Sequence, residues 1–496
     1  MNESPASGPE TESEAEAEAE FAAAGETEPE PEPGARAGSS GPQYAAGAKI
    51  QYLTRAEQAA FGAAERVRVP RRVHGGVKLA AGRDPIGILE AQAATRLPDL
   101  VPVRHGRMLA NPFAFYRGSA AIMAADLAPA PRTGLRVQLC GDAHLSNFGV
   151  YSSPERQLVF DVNDFDETLP GPFEWDVKRL AASFIVAGRA LGWKRGVGDR
   201  ALIYAVASYR ERITELAAGG TLPTWYSRIS VDDIRAMVAP ARRKRLDAGL
   251  AAAGRRNSLG ALGKLTRTVD GRRQFIETPP TLVRISERLT DEAIRGTIRQ
   301  YRRTLPSDRR QLLDRYRYVD VARKVVGVGS VGTVALVAYF EGADESDPLF
   351  LQVKQAQASV LEPFLGKAVQ RHSGQRVVDG QRLLQASSDV FLGWATGPFG
   401  RHYYWRQLWD GKLSADVEGM DEGGIYAYAR VCGWALARAH ARSKSPVAVA
   451  AYLGTGARFD RAMLEFARAY AEQNEKDYAA LGAAVASGRL QATPGV

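Results

Sequence analysis

Residues 141–147 read Gly141-Asp142-Ala143-His144-Leu145-Ser146-Asn147 and follow the short apolar run Leu135–Leu139. That run has the length and β-branched content of a strand ending at the Gly-Asp pair. A second strand-like run, Leu158–Val162, ends in the acidic string Asp161-Val162-Asn163-Asp164-Phe165-Asp166-Glu167. Carboxylates and an amide oxygen are hard ligands, suited to a Mg²⁺ ion that bridges phosphates. So many acids beside a strand repel one another unless a cation or an arginine meets them. That cost argues for a metal, with Asn147, Asp164, Asp161 and Asp166 as candidate ligands. Asp and Asn also favour caps and turns, and that plainer reading stands beside the metal. His144 has no second His or Cys pair near it, so it reads as a loop-orienting group rather than a zinc ligand.

Outward from this segment, the chain has 496 residues, 45% of them apolar, enough for two or three lobes. No run approaches the roughly 18–20 apolar residues of a membrane-spanning helix. The opening residues lack the basic and apolar regions of a secretory signal. Cys140 and Cys432 alone form no disulfide framework, so a reducing cytoplasm is expected. The net charge of +9 divides unevenly: residues 1–34 hold eleven Glu and no Lys or Arg, which leaves the remainder at +20. Residues 1–45 are Glu-Ala, Glu-Pro and Gly-Ser repeats and are expected to be a disordered acidic tail.

Asp176 is read as the cap of an amphipathic helix with Val177, Leu180, Ala181, Phe184, Gly188 and Leu191 on one face. A second helix carries Leu202, Val206, Tyr209, Ile213 and Leu216, and residues 230–315 read as helical and basic. The period then switches to strands: Val319–Val326, Val334–Phe340, Leu349–Val353 and Tyr403–Leu408. A helix with Ile425, Tyr428, Cys432, Ala435 and Ala439 follows, and a last one spans about 459–481.

Between the first two of these strands lies Gly327-Val-Gly329-Ser330-Val-Gly332-Thr-Val334. Glycines let backbone N–H groups approach phosphate oxygens with no Cβ in the way. A strand rather than a helix follows the loop, which argues against a dinucleotide fold. A strand–glycine turn–strand suits a phosphate flap of the kinase kind, which also needs a lysine on the next strand. Lys354 stands there, with Glu362 as the nearest acid to hold it; a plain hairpin with a solvated lysine is the alternative. Catalytic loops of that kind place the base Asp and the metal-binding Asn five residues apart, the spacing of Asp142 and Asn147.

The strings GDAHLSNFG (141–149) and VFDVNDFDETLPGPFEWDVKRLAAS (159–183), with residues 104–127 and 349–363, resemble the bacterial domain-of-unknown-function family 2252. The likeness covers about residues 50–480. That family carries no assigned reaction and is grouped with protein-kinase-like folds. The H-G-D-x-H-x-x-N loop of aminoglycoside and choline phosphotransferases is similar to Gly141, Asp142, His144 and Asn147, with Cys140 at the first His. Asp164-Phe165-Asp166 resembles their metal-binding segment, which ranks Asp164 ahead of Asp161 and Asp166. The order of the motifs departs from these enzymes, because the glycine loop and Lys354 come after the Asp142 loop. The helix Tyr426–His440 resembles the one that ordinarily leads into the catalytic loop. A circular permutation is the simplest account of the order; the alternative is that one half only mimics the motif.

The expected fold is therefore α+β: a protein-kinase-like two-lobe fold, circularly permuted, with a mostly helical large lobe and a small antiparallel-sheet lobe. The expected segments are the tail (1–45), a helical lobe carrying the Asp142 loop (46–315), a sheet-rich nucleotide-binding lobe (316–395), and a hinge with the remaining helices (396–496). The expected function is an ATP- and Mg²⁺-dependent phosphotransferase with an unidentified small-molecule or protein acceptor. In it Asp142 is the catalytic base, and Gly327, Gly329, Ser330, Gly332, Lys354 and Glu362 bind the nucleotide. The adenine is expected near Arg406-Gln407-Leu408. Transfer of AMP on the same fold, and a catalytically inactive or nucleic-acid-binding protein, are the alternatives. Residues 240–275 hold ten Lys or Arg against two Asp, but Phe275 is their one aromatic, so stacking on nucleic acid is disfavoured. Arg104, Arg107 and Arg117 are expected to pair with the 161–167 acids, and otherwise to bind a phosphate or an acidic acceptor.

Overall fold

The computed structural model describes residues 52–495 except 256, 285–290, 326 and 409–410; the expected acidic tail lies outside the described residues. The described part is a mixed α/β structure of many helices and several small antiparallel sheets. It begins with helices that include α1 (Val101–Met108) and α2 (Pro112–Gly118). Next come β1 (Arg136–Leu139), the hairpin of β2 (Phe148–Ser152) and β3 (Leu158–Val162), and β4 (Leu169–Pro172), which pairs back onto β1. In the hairpin Phe148 faces Val162. That register returns the chain to its start, so the residues after β3 lie beside those before β2.

Helix α3 (Glu174–Ala190) is buried around most of its circumference rather than along one face. Its charged residues therefore all need partners. Glu174 accepts from the Thr133 amide and hydroxyl at 2.7 Å each, and Lys178 lies over the Phe466 ring. Asp176 is a first-turn residue and not the cap, because the helix starts two residues earlier. Helix α4 (Val197–Ala218) packs against α6 (Glu422–Ser443) so closely that a Cβ on Gly433 would lie 2.0 Å from the Ala205 carbonyl oxygen. Helix α7 (Arg458–Ala486) covers α3.

A six-stranded antiparallel sheet has the order β9-β10-β8-β7-β6-β5. Its strands are β5 (Leu282–Arg284), β6 (Arg317–Lys324), β7 (Ala335–Glu341), β8 (Pro348–Gln355), β9 (Gly393–Thr396) and β10 (His402–Gln407). Helix α5 (Ser373–Leu384) connects β8 to β9. The sheet buries Val321, Ala338, Leu351 and Trp405 against Tyr301, whose ring stacks on Trp405 at 4.5 Å. The stretch expected to be helical over 230–315 holds strands as well. Thr266–Val269 pairs with Arg272–Phe275 as a hairpin, and β5 is an edge of the large sheet. Among the described residues no helix is long and apolar enough to cross a membrane.

Candidate functional site

The loop after β1 is held from below by α3. The Asp176 carboxylate accepts the amides of Cys140 (2.8 Å) and Gly141 (3.0 Å), and His440 of α6 reaches it at 3.2 Å. Gly141 has φ +87°, and a Cβ there would lie 2.3 Å from the Glu167 carbonyl oxygen. Only glycine fits both conditions. The loop then presents Asp142, whose Oδ1 accepts from Arg179 Nε at 2.8 Å. Burial pushes the Asp142 carboxyl above its ordinary range, with Arg179 opposing that shift. Asn147 donates from Nδ2 to the Asp142 carbonyl at 2.8 Å. His144 is buried, and its Nε2 lies 3.8 Å from Asp142 Oδ2. Burial and the nearby Arg117 and Arg179 hold the imidazole neutral, so it orients and does not form an ion pair.

The hairpin register puts Asn163 next to Asn147, the Asn163 amide donating to the Asn147 carbonyl at 2.8 Å. From there Asp164 and Asp166 meet the large sheet. Lys354, near the end of β8, places Nζ 2.5 Å from Asp166 Oδ2 and 3.8 Å from Asp164 Oδ1. On β10, Tyr404 faces Lys354 across the sheet and donates to Asp166 Oδ1 at 2.6 Å. Arg406 donates to the Asn163 carbonyl at 3.1 Å. Burial raises the Asp164 carboxyl, but Lys354, Arg406 and Lys412 outweigh it and hold the group down at about 2. The same acids keep the buried Lys354 amine charged.

Two adjoining cavities open here. One, of about 360 Å³, is lined by Lys354, Asp164, Gln352, Arg406, Leu408 and Lys412. The other, of about 630 Å³, reaches Asp142, His144 and Glu167. They share Arg117, Asn147, Asp164, Gly327 and Ser330 as walls. The glycine loop joins β6 to β7, with φ +67° at Gly327 and +90° at Gly332. Gly329 also lines the larger cavity. Gly332 instead faces away, onto the Arg96 side chain, and its carbonyl accepts from Leu97 N at 2.7 Å.

The structure thus brings Asp142, Asn147, Asp164, Asp166, Gly327, Gly329, Ser330 and Lys354 together. Asp161 is placed elsewhere. It is fully buried, salt-bridged to Arg438 of α6 at 2.5 Å, and accepts the Ala386 amide at 2.9 Å. Every lone pair facing inward is engaged by protein, so it is no metal candidate. Glu362 does not hold Lys354 either. It begins the short helix Glu362–Leu365 and accepts from Ser359 N at 3.3 Å, while Asp166, 188 positions earlier in the chain, takes the lysine. The arginines upstream do not pair with the 161–167 acids. Arg104 donates to the Gly118 carbonyl (2.9 Å) and to Gln92, and Arg107 to the Gly327 carbonyl (2.5 Å). Sequence reasoning missed Arg179 and Tyr404. Arg179 lies one helical turn beyond Asp176, a signal available in the sequence, whereas Tyr404 is found only through the β8–β10 register.

Among the described residues no three His, Cys, Asp or Glu side chains cluster as a metal cage. In the basic stretch, several arginines are already paired: Arg242 with Asp421 and Arg273 with Glu345, each at 2.8 Å.

No curated protein and no solved structure matches this chain. One family model does, over residues 96–484, which take in the Asp142 loop, the acidic string, the glycine loop and Lys354. With well over half its length matched, the chain belongs to the family described as an uncharacterized protein conserved in bacteria, DUF2252.

Proposed function

We propose that this protein is an ATP- and Mg²⁺-dependent phosphotransferase with a kinase-like, circularly permuted architecture. The observation that carries the reading is the meeting of Lys354 with Asp164 and Asp166 beside cavities also walled by Asn147, Gly327 and Ser330. A buried ammonium between carboxylates is costly in an idle fold and is what a triphosphate site requires.

Topology supports the same reading. The sheet runs β6-β7-β8-β10-β9, with the glycine turn between its first two strands, the lysine on the third, and α5 connecting the third to the fourth in sequence. A glycine turn followed by a lysine-bearing strand is the arrangement a kinase-type phosphate flap uses. The end of α6 touches β1, Ser443 Oγ accepting from Gln138 N at 2.9 Å. Joining α6 to β1 there would restore the ordinary order of helix, catalytic loop and metal-binding acid, which is the argument for permutation.

In this mechanism Lys354 and the amides around Gly327 and Gly329 hold the phosphates. The adenine takes the smaller cavity beside Leu408. Asn147 and Asp164 would hold a Mg²⁺ ion through an amide oxygen and a carboxylate, the hard oxygen donors that ion takes. The Asn147 amide nitrogen is turned to the Asp142 carbonyl, which leaves its oxygen as the acceptor. The ion would neutralise phosphate charge. Asp142 orients the acceptor hydroxyl and takes its proton as the oxygen bonds to the γ-phosphorus and the bond to the β–γ bridging oxygen breaks, releasing ADP. A carboxyl raised by burial is the better base near neutral pH. Asp142→Asn is expected to lower Mg²⁺-dependent ATP turnover by about 10²-fold or more in a variant whose circular dichroism still shows the folded chain, with melting lowered because the buried Arg179 loses its charge partner. Unaltered turnover would reject Asp142 as the base.

A further inference from the structure

The larger cavity carries more positive charge than the nucleotide reading uses. Arg96, Arg104 and Arg117 all line it, and none forms an ion pair with a carboxylate among the described residues. Arg104 is 1% exposed, with Nε and one terminal nitrogen lacking any hydrogen-bond partner. Arg117 Nε is likewise buried and unpartnered, and so is Arg96 Nε. The nearby carboxylates are engaged elsewhere: Asp142 with Arg179, Asp164 and Asp166 with Lys354, and Glu167 with the Val360 amide at 2.7 Å. A buried guanidinium with open donors is destabilising unless an anion completes it. Guanidinium forks match phosphate oxygens in geometry as well as charge.

These arginines are built into the fold. Arg104 donates to the Gly118 carbonyl at the end of α2, Arg96 donates to the Val331 carbonyl, and Arg179, which holds Asp142, donates to the Tyr116 carbonyl at 2.6 Å. Arg117 lies between Tyr116 and Gly118 in sequence, in the wall shared with the smaller cavity. Small apolar residues such as Ala121 and Ala125 line one part of the larger cavity, and the carboxylates of Asp142, Asp164, Asp166 and Glu167 line another. A volume of about 630 Å³ suits a small molecule, not a folded protein surface.

We propose that this cavity is the acceptor site and that its substrate is a small molecule bearing a phosphate group, which Arg104, Arg117 and Arg96 hold so that a hydroxyl of the same molecule faces Asp142. The substrate assignment rests on the phosphotransferase reading; the anion site itself does not.

Inorganic phosphate, titrated into the full chain without nucleotide at constant ionic strength, is the probe. A rise in melting temperature is expected by mass action. It should persist in Lys354→Met and at saturating ATP with Mg²⁺, and it should vanish in Arg117→Gln and Arg104→Met. If Arg104→Met fails to fold, the more accessible Arg117→Gln decides. The proposal is overturned if phosphate does no more than acetate, or if ATP or Lys354→Met removes the effect while Arg117→Gln leaves it. Loss of ATP binding beside an intact Arg117-dependent phosphate effect would instead refute the nucleotide reading and keep the anion site.

Discussion

At the scale of single residues, burial and charge decide what each carboxylate can do. Asp161 and Asp164 are three positions apart and both read as metal ligands from sequence. The end of the strand separates them: Asp161, within β3, points into the core against Arg438, while Asp164 lies beyond the strand, where the cavities open. A chain met as text shows the cluster but not which face each member takes. Lys354 was legible because glycine loop, strand and lysine are local in sequence. Its partner was not, because proximity in the chain favoured Glu362 and the fold supplied Asp166. Glu167, in the wall of the larger cavity, offers a titration test. Burial lifts its carboxyl from an ordinary 4.5 to about 7, with Arg376 opposing. The unfolded chain releases this proton near 4.5 and the folded chain holds it to about 7. Its contribution is therefore present below pH 4.5 and lost as pH rises through about 7. Glu167→Gln is expected to be more stable than the parent at pH 8, by about 1–3 kcal/mol, with the gap closing toward pH 4.5 in urea unfolding followed by fluorescence. A gap independent of pH would contradict this.

At the scale of elements, α3 and α6 act as the supports of the loop. Their buried charged side chains are matched by partners from distant parts of the chain, Arg179 by Asp142 and Arg438 by Asp161, so neither helix can slide without stranding a charge. Arg438 of α6 grips Asp161 on β3 and also donates to the Leu384 carbonyl at 2.8 Å. Arg438→Met is expected to cost about 3–5 kcal/mol, because an unpaired carboxylate remains in the core; chemical denaturation measures it, and a cost under about 1 kcal/mol would contradict the account. Most helices and strands were legible from periodicity, including β3, which the sequence places at the observed Leu158–Val162. The hairpin after residue 265 was not, since its strands, Thr-Arg-Thr-Val and Arg-Arg-Gln-Phe, are polar and basic and read as part of a basic helical stretch. Its turn signal, Asp270-Gly271, stood in the sequence: both adopt positive φ, +48° and +71°, as a tight hairpin turn demands.

At the scale of the whole molecule, the account depends on the way the chain is closed on itself. Asp166 and Lys354 lie 188 residues apart and touch, and α6, late in the sequence, ends beside β1, early in it. Sequence carried the motifs but no distance between them. That separation is a product of the register of two sheets and the packing of α4, α6 and α3, none of which a motif records. Under the proposed phosphotransfer, one ammonium would serve two tasks, neutralising the acids in the free protein and facing phosphate with nucleotide bound. The most direct measurement is calorimetric titration of the full chain and of Lys354→Met with ATP and Mg²⁺. Saturable, Mg²⁺-dependent binding in the parent, weakened at least tenfold in a folded variant, is the predicted result. No binding to the parent, or equal binding to both, would contradict the proposed site.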